Sequence, residues 1–443
     1  MTSHIAEGWR QRYAAKLTTP DDAVRVVKDG DRVVIGMHYQ TPLALCRALA
    51  ARARELRDVE VENSIATFIS WWPDGKPNGL TVRSFFLQAS DRPAFRAGLL
   101  DYVIAPPTRS DQSYWLDRTP DVFLVGISPP DDDGWCSFGM SVWGAPEVAR
   151  EAKHLIGEVN ERFIRTGGDN RIHISRFESL VEAPREWKFL RRPPKTPEED
   201  EVAAVICSLV ADEVVRDGDT FQLGTGTVSA AMAPFLANKR DLGVHSELVF
   251  GGIPDLVEAG VVTGARKTMH PGKVVGASFG PLTADEFARV DGDPRYELYC
   301  MSHTNDIQVI AAHENMVAIN NALMVDLTGQ INAESIGPQL YSGTGGAFAF
   351  AVGALHSNGG RSVHVLPSTS VVAGEPRSRI VPVLPEGSVV TVPRSYADIV
   401  ATEYGIARLK GRTLRQRIDA LTAIAHPDMR PELRAQARRI YGV

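Results

Sequence analysis

The chain has 443 residues, with 48 Lys+Arg against 54 Asp+Glu and a formal net charge of -6. That balance gives no reason to expect a nucleic-acid partner, which would normally require a basic face. With 44% hydrophobic and 23% charged residues it has the proportions of an ordinary globular chain, which excludes disordered and fibrous classes.

The opening seventeen residues lack the apolar stretch of a signal peptide and read as an amphipathic first helix. Next comes Val26-Val27-Lys28-Asp29-Gly30-Asp31-Arg32-Val33-Val34-Ile35-Gly36, which recurs as Val214-Val215-Arg216-Asp217-Gly218-Asp219-Thr220-Phe221-Gln222-Leu223-Gly224. Each copy runs from an Asp-Gly turn through a short β-rich stretch to a glycine. A helical pattern follows, over Pro42 to Ala51 and over Ser229 to Ala237, and then a second strand, Val59 to Ser64 and Leu242 to Ser246. This is the βαβ signature of a parallel sheet, and a single long period indicates duplication rather than a solenoid. Between the copies, Arg191 to Asp200 is dense in proline and charge and reads as the linker. Two α/β domains are expected, over 1–194 and 195–443.

The second copy alone continues as Gly224-Thr225-Gly226-Thr227-Val228-Ser229, a near match to GxGxxG before a helix, with Glu247 at the distance of a ribose-binding acid. Three readings stay open here: a purely structural close approach, a site for an anion or carbonyl oxygen, and a dinucleotide site. Gly276-Ala277-Ser278-Phe279-Gly280 matches the GxSxG elbow of hydrolases, yet a turn at Gly280-Pro281-Leu282 stands where the elbow needs a helix. A structural role is therefore expected for Ser278. His313-Glu314 begins HExxH, but Val317 occupies the second histidine position; with the other histidines scattered, no metal site is expected. The four cysteines form no CxxC pair, which fits a reducing, cytoplasmic setting. The longest uncharged run, Ser335 to Gly360, holds too many glycines for a membrane span and reads as loops around a buried strand or helix. Glu247 closes the apolar segment Leu242-Gly243-Val244, and a carboxylate at the carboxyl end of a parallel strand points into the crevice where such sheets bind ligands. Alone, it could equally cap or pair with a neighbour.

Taken together, these segments resemble the acetyl-CoA hydrolase/transferase family of class I coenzyme A transferases. The resemblance rests on Ser128-Pro129-Pro130-Asp131, Gly157-Glu158-Val159-Asn160, Asp241 to Glu247, Ala318-Ile319-Asn320-Asn321, Asp326 to Asn332, Ser342-Gly343-Thr344-Gly345-Gly346, Ser378 to Pro382, Thr402-Glu403-Tyr404-Gly405 and Ala425 to Arg430. It implies two tandem three-layer α/β domains with mostly parallel sheets. It further implies a CoA-transferase in which Glu247 is the nucleophile that forms a glutamyl-CoA thioester, with an acyl-CoA hydrolase as the alternative. A non-catalytic acyl-CoA or sugar-phosphate sensor and an NAD-dependent dehydrogenase are more distant readings. By the same resemblance Asn305 lies near the reacting carbonyl and the Gly346 N–H faces the oxyanion. Gly224, Thr225, Gly226, Thr227, Gly343 and Gly345 would line the CoA and acyl positions. Acyl-CoA and a carboxylic acid are then substrates, no cofactor is held tightly, no membrane is involved, and a homodimer is expected. The chain departs from the family pattern at Phe250-Gly251-Gly252, which by the resemblance implies a less polar acyl pocket wall or lid, and also at Ala349-Phe350 and at Ser229, where a proline is usual.

Overall fold

The computed structural model describes residues 8–65, 70–72, 74–105, 119–183 and 196–443. The chain is α/β and forms two compact units, one comprising 1–191 and 275–304, the other 192–274 and 305–443.

The first unit is built on seven strands, β1 (Arg32–Ile35), β2 (Val59–Glu62), β3 (Leu80–Ser84), β4 (Leu100–Tyr102), β5 (Val122–Ile127), β6 (His154–Val159) and β7 (Ser179–Glu182). Their order in the sheet is β7-β6-β5-β1-β2-β3-β4, and every pair is parallel. Residues of β1 and β5 are buried throughout and, apart from Arg32, which pairs with Glu60, and Gly126, are apolar, as in strands covered on both faces. Helix α1 (Leu43–Ala51) follows β1 and buries Leu45 and Leu49. The expected first helix is shorter than the pattern suggests. Residues 1–7 lie outside the description; Trp9–Arg12 make one helical turn, which ends where Tyr13 leaves helical geometry. Trp9 nonetheless anchors this segment in the core with Phe123, Phe138 and Phe177.

The second unit carries β8 (Thr220–Leu223), β9 (Gly243–Val249), β10 (Met316–Asn321), β11 (Arg361–Val365), β12 (Ile399–Thr402) and β13 (Gly405–Arg408). These lie in the order β13-β12-β11-β10-β8-β9, parallel except for the closing β12/β13 pair. The linker residues 191–195 lie outside the description. Thr196 then starts helix α2 (Pro197–Glu213) with a capping box, its hydroxyl accepting from Glu199 N at 3.2 Å while Glu199 accepts from Thr196 N at 2.9 Å.

The repeat is visible bond by bond. Asp31 and Asp219 each accept a backbone N–H three residues upstream at 2.7 Å, from Lys28 and Arg216. Gly30 N and Gly218 N donate to Arg57 O at 2.9 Å and Arg240 O at 2.8 Å. Both glycines sit at positive φ, 74° and 82°, which explains why the turn needs glycine there. The uncharged run resolves into strands Ser335–Ile336 and Gln339–Leu340 and helix α3 (Ala347–His356). No helix among the described residues is long and apolar enough to cross a membrane. Phe350, Ala349 and Ala354 of α3 pack on Met316 and Ala318 of β10, and burying a side chain the size of Phe350 contributes about 1.5–3 kcal/mol.

Candidate active site

Strand β9 is last paired with β8 at Val244 and runs on to Val249, so Glu247 stands beyond the carboxyl end of β8. Side chains alternate along a strand, which puts His245 and Glu247 on one face. That face is covered by α3. The His245 ring lies 4.5 Å from the His313 ring and 6.2 Å from the Phe350 ring, centroid to centroid. Glu247, only partly buried, comes next along the same face and meets the N-terminus of α3, where Gly346 is the N-cap.

Each carboxylate oxygen of Glu247 has its own donor. Asn305 Nδ2 donates to Oε1 at 2.9 Å, and the Gly346 backbone N–H donates to Oε2 at 3.2 Å. Burial pushes the Glu247 carboxyl above its ordinary range; the Asn305 amide and then the Gly346 N–H pull it back without cancelling the rise. The ten-residue helix behind Gly346 adds the positive end of its dipole to the same spot. A partly desolvated carboxylate held at both oxygens suits attack on a carbonyl carbon, because preorganised donors are available when the charge moves to an oxyanion.

The structure thus brings Glu247, Asn305 and Gly346 together within hydrogen-bond reach. Gly345, at φ 50°, and buried Gly343 lie in the loop that delivers Gly346. A Cβ on Gly346 would fall 3.0 Å from Glu247 Oε2, so a side chain there would crowd the carboxylate itself. The loop after β8 is set by packing. A Cβ on Gly224 would fall 2.5 Å from Asn320 Oδ1, and one on Gly226 1.9 Å from Asn321 Nδ2. Asn321 Nδ2 also donates to Ser229 Oγ at 2.6 Å, and Ser229 Oγ donates to Gly224 O at 2.6 Å. Thr225 and Thr227 are left exposed on this loop.

The α-helix expected over Ser229 to Ala237 is replaced by two 3-10 turns, Ser229–Ala231 and Ala233–Leu236. The Ser229 hydroxyl bond back to Gly224 O and Pro234 within the segment favour short turns over a continuous helix. The loop therefore lacks the α-helix N-terminus that a dinucleotide site requires. Ser278 is buried in the strand Val274–Phe279, where its hydroxyl bonds Ser141 Oγ at 2.7 Å and His38 Nδ1 at 3.1 Å. Burial holds His38 down to about 3, so it stays neutral, and Ser278 is a structural serine of the first unit. His313 is likewise buried, and no group of metal-ligating side chains occurs among the described residues.

Sequence reasoning gave no role to Asn320 and Asn321. Their signal was present: two consecutive asparagines closing a buried parallel strand must find partners, and Asn321 finds the loop after β8. Asn320 also exchanges two bonds of 3.0 Å with Gln222.

The site is a strand-end carboxylate under a helix N-terminus in a parallel α/β unit, an arrangement able to present a nucleophile to an activated carbonyl. The acetyl-CoA hydrolase/transferase N-terminal domain matches residues 2–189, and the C-terminal domain of the same family matches residues 283–437. The chain belongs to the acetyl-CoA hydrolase/transferase family, and it is an enzyme. It is 37% identical over 428 residues to the 4-hydroxybutyrate coenzyme A transferase of Clostridium kluyveri, a match covering 96% of this chain and 98% of that protein. It is 35% identical to the succinyl-CoA:cyclohexane-1-carboxylate CoA transferase of Geobacter metallireducens, covering 98% of this chain and 97% of that one. Among solved structures it is similar to RipA from Yersinia pestis, with a TM-score of 0.89, 30% identity, and coverage of 98% of this chain and 100% of that chain.

Proposed function

We propose that the protein is an acyl-CoA:carboxylate CoA-transferase that works by a ping-pong mechanism through Glu247. The reading is carried by one observation: both oxygens of a single desolvated carboxylate are held, by Asn305 and by the Gly346 N–H. Relatives named as CoA-transferases over nearly the whole chain support it.

In the first step a Glu247 oxygen attacks the thioester carbon. The carbonyl oxygen takes the charge beside the Gly346 N–H, the C–S bond breaks, and CoA leaves as a thiolate from an acyl-glutamyl anhydride. The thiolate sulfur then attacks the glutamyl carbonyl. The anhydride C–O bond breaks, the first acid departs as its carboxylate, and a glutamyl-CoA thioester remains. A second carboxylate attacks that thioester and runs the sequence backwards, giving a new acyl-CoA and free Glu247. Asn305 orients the nucleophile and favours its ionised form against the effect of burial. Acyl-CoA and acid are substrates throughout, and no resident cofactor enters.

Borohydride treatment during turnover tests this. It should reduce the thioester at Glu247 to an alcohol, seen as a mass change in the peptide that contains it; an unmodified Glu247 under turnover overturns the mechanism. Running the same acyl-CoA with a panel of acids, and with water alone, separates transfer from hydrolysis: CoA exchange into an acid supports transfer, while equal free CoA with and without acid assigns the hydrolase alternative.

A further inference from the structure

The Gly346 N–H lies in a non-repetitive loop, and such a loop aims a donor only if something holds it. On its far side the loop continues into α3, where Phe350 N donates to Gly346 O at 2.9 Å. On its near side it is held by residues 333 and 334. Tyr341 N and Ser342 N donate to Glu334 O at 2.7 and 3.1 Å, and Ser342 Oγ donates to Ala333 O at 3.0 Å. Thr344, two residues before Gly346, donates its hydroxyl to Glu334 Oε2 at 2.9 Å. Glu334 is itself fixed, since its N–H donates to Asn332 Oδ1 at 3.0 Å and Asn332 Nδ2 donates to Ser335 O at 3.0 Å. The residue is 6% exposed. A buried carboxylate is an expensive way to fill space, and here it accepts the Thr344 hydroxyl and so clamps the loop.

We infer that Glu334 is a positioning residue which, through Thr344, holds the Gly343 to Gly346 loop so that the Gly346 N–H stays on Glu247. The inference rests on the transferase reading of Glu247. Removing the clamp should loosen the donor while leaving the nucleophile in place, and misplacing a catalytic group by about 1 Å can reduce rate roughly 10²-fold.

The test is Thr344→Val and Glu334→Gln, with Thr344→Ser as the conservative variant and the double variant completing a cycle. Each of the first two is expected to lower kcat by roughly 10- to 100-fold with KM for acyl-CoA within about twofold. Because the Gly346 N–H pulls the Glu247 carboxyl down, its loss should also move the acid limb of kcat/KM to higher pH, which a merely structural role would not do. Thr344→Ser should restore most of the rate, and the double variant should be no worse than the poorer single. Unchanged kcat and acid limb in Thr344→Val, or losses that multiply in the double variant, would overturn the inference. Should Glu334→Gln fail to fold, the two Thr344 variants decide alone. Borohydride labelling separates the two readings: no label in the wild type removes the transferase mechanism, whereas equal labelling rates in wild type and Thr344→Val remove only the role of Glu334.

Discussion

Gly36 and Gly224 close the matching strands of the two units, and each donates its N–H across the sheet at 2.8 Å, to Leu124 O and to Ile319 O. Beyond them the units diverge. In the first, Met37, Tyr39, Gln40 and Thr41 are all buried, Gln40 Nε2 donates to Ser141 O at 2.8 Å, and the chain enters α1. In the second, Thr225 and Thr227 face outward from a glycine loop followed only by 3-10 turns. The next strand diverges in the same sense. Glu60 N donates to Asp31 O and Gly243 N to Asp219 O, both at 2.9 Å, so counting on from these matched bonds puts Ser64 where the second unit has Glu247. Ser64 is buried, accepting from Phe85 N and donating to Glu62 Oε1, each at 3.1 Å. In one copy the matched position is a buried serine bonded to its neighbours; in the other it is a partly buried carboxylate held by two donors. Duplication keeps the frame, and the chemistry sits in the residues that differ upon it.

The sharpest way to break this comparison is Glu247→Gln. It should lower CoA exchange between labelled acyl-CoA and free acid by roughly 10⁴-fold or more, as nucleophile removal does elsewhere. The same variant should be more thermostable. Burial raises the Glu247 carboxyl in the folded state, so its ionisation opposes folding at neutral pH, and that burden disappears below about pH 4, where both states are protonated. A higher Tm at pH 7.5 that converges on wild type in acid is the expected result. Gly346→Ala comes second. With its Cβ 3.0 Å from Glu247 Oε2, it should reduce kcat by about 10²- to 10³-fold, the usual range for losing one oxyanion donor. In the first unit, Gly36→Ala puts a Cβ 2.6 Å from Gln40 O; its loss should appear in Tm measured by calorimetry.

Much of this contrast is legible in the chain itself, because it is written in local chemistry. Asp-Gly-Asp before a β-rich stretch specifies the same turn twice, and Gly280-Pro281-Leu282 already rules out a helix after Ser278. The strand-end position of Glu247 follows from the apolar stretch before it, whereas Asn305 and Gly346 enter only through the family resemblance. What stays hidden depends on distant partners. Pro234 could have warned against a continuous helix over Ser229 to Ala237, but nothing in that segment announces that a side chain from β10 will bond the Ser229 hydroxyl. Nothing around residues 275–304 announces that they pack with the first unit, since that assignment is made of long-range contacts. The Glu334 clamp is equally silent, because it joins residues 334 and 344 across a short strand pair and carries no spacing motif.

Asn305→Ala sharpens the account of the carboxylate at lower amplitude. Losing the Nδ2 donor should reduce kcat by roughly 10- to 100-fold and move the acid limb of kcat/KM upward, since this amide is the stronger of the two groups that lower the Glu247 carboxyl. An acid limb that stays in place would mean that Glu247 ionises without help from Asn305, and the ordering of the two donors would have to be reversed.

The smallest effect, and the one that isolates the packed unit, concerns Glu158. Its Oε2 accepts from Ala44 N at 2.8 Å and Leu45 N at 3.1 Å, capping the first turn of α1, yet burial pushes the carboxyl up to about 8 against those bonds. With a folded value above the ordinary carboxylate range, the folded state binds a proton that the unfolded chain has already lost. The stabilisation is therefore complete below about pH 4 and declines as pH rises through 8, with a slope of at most about 1.4 kcal/mol per pH unit for one proton. Glu158→Gln matches the shape of the protonated acid and cannot ionise. Its Tm should equal wild type near pH 5 and exceed it by a few degrees near pH 9, with turnover unaffected apart from unfolding. Parallel Tm curves for the two proteins across that range would show that Glu158 is ionised in the folded state, so that the helix N-terminus of α1 outweighs burial in the first unit as two donors fail to do for Glu247 in the second.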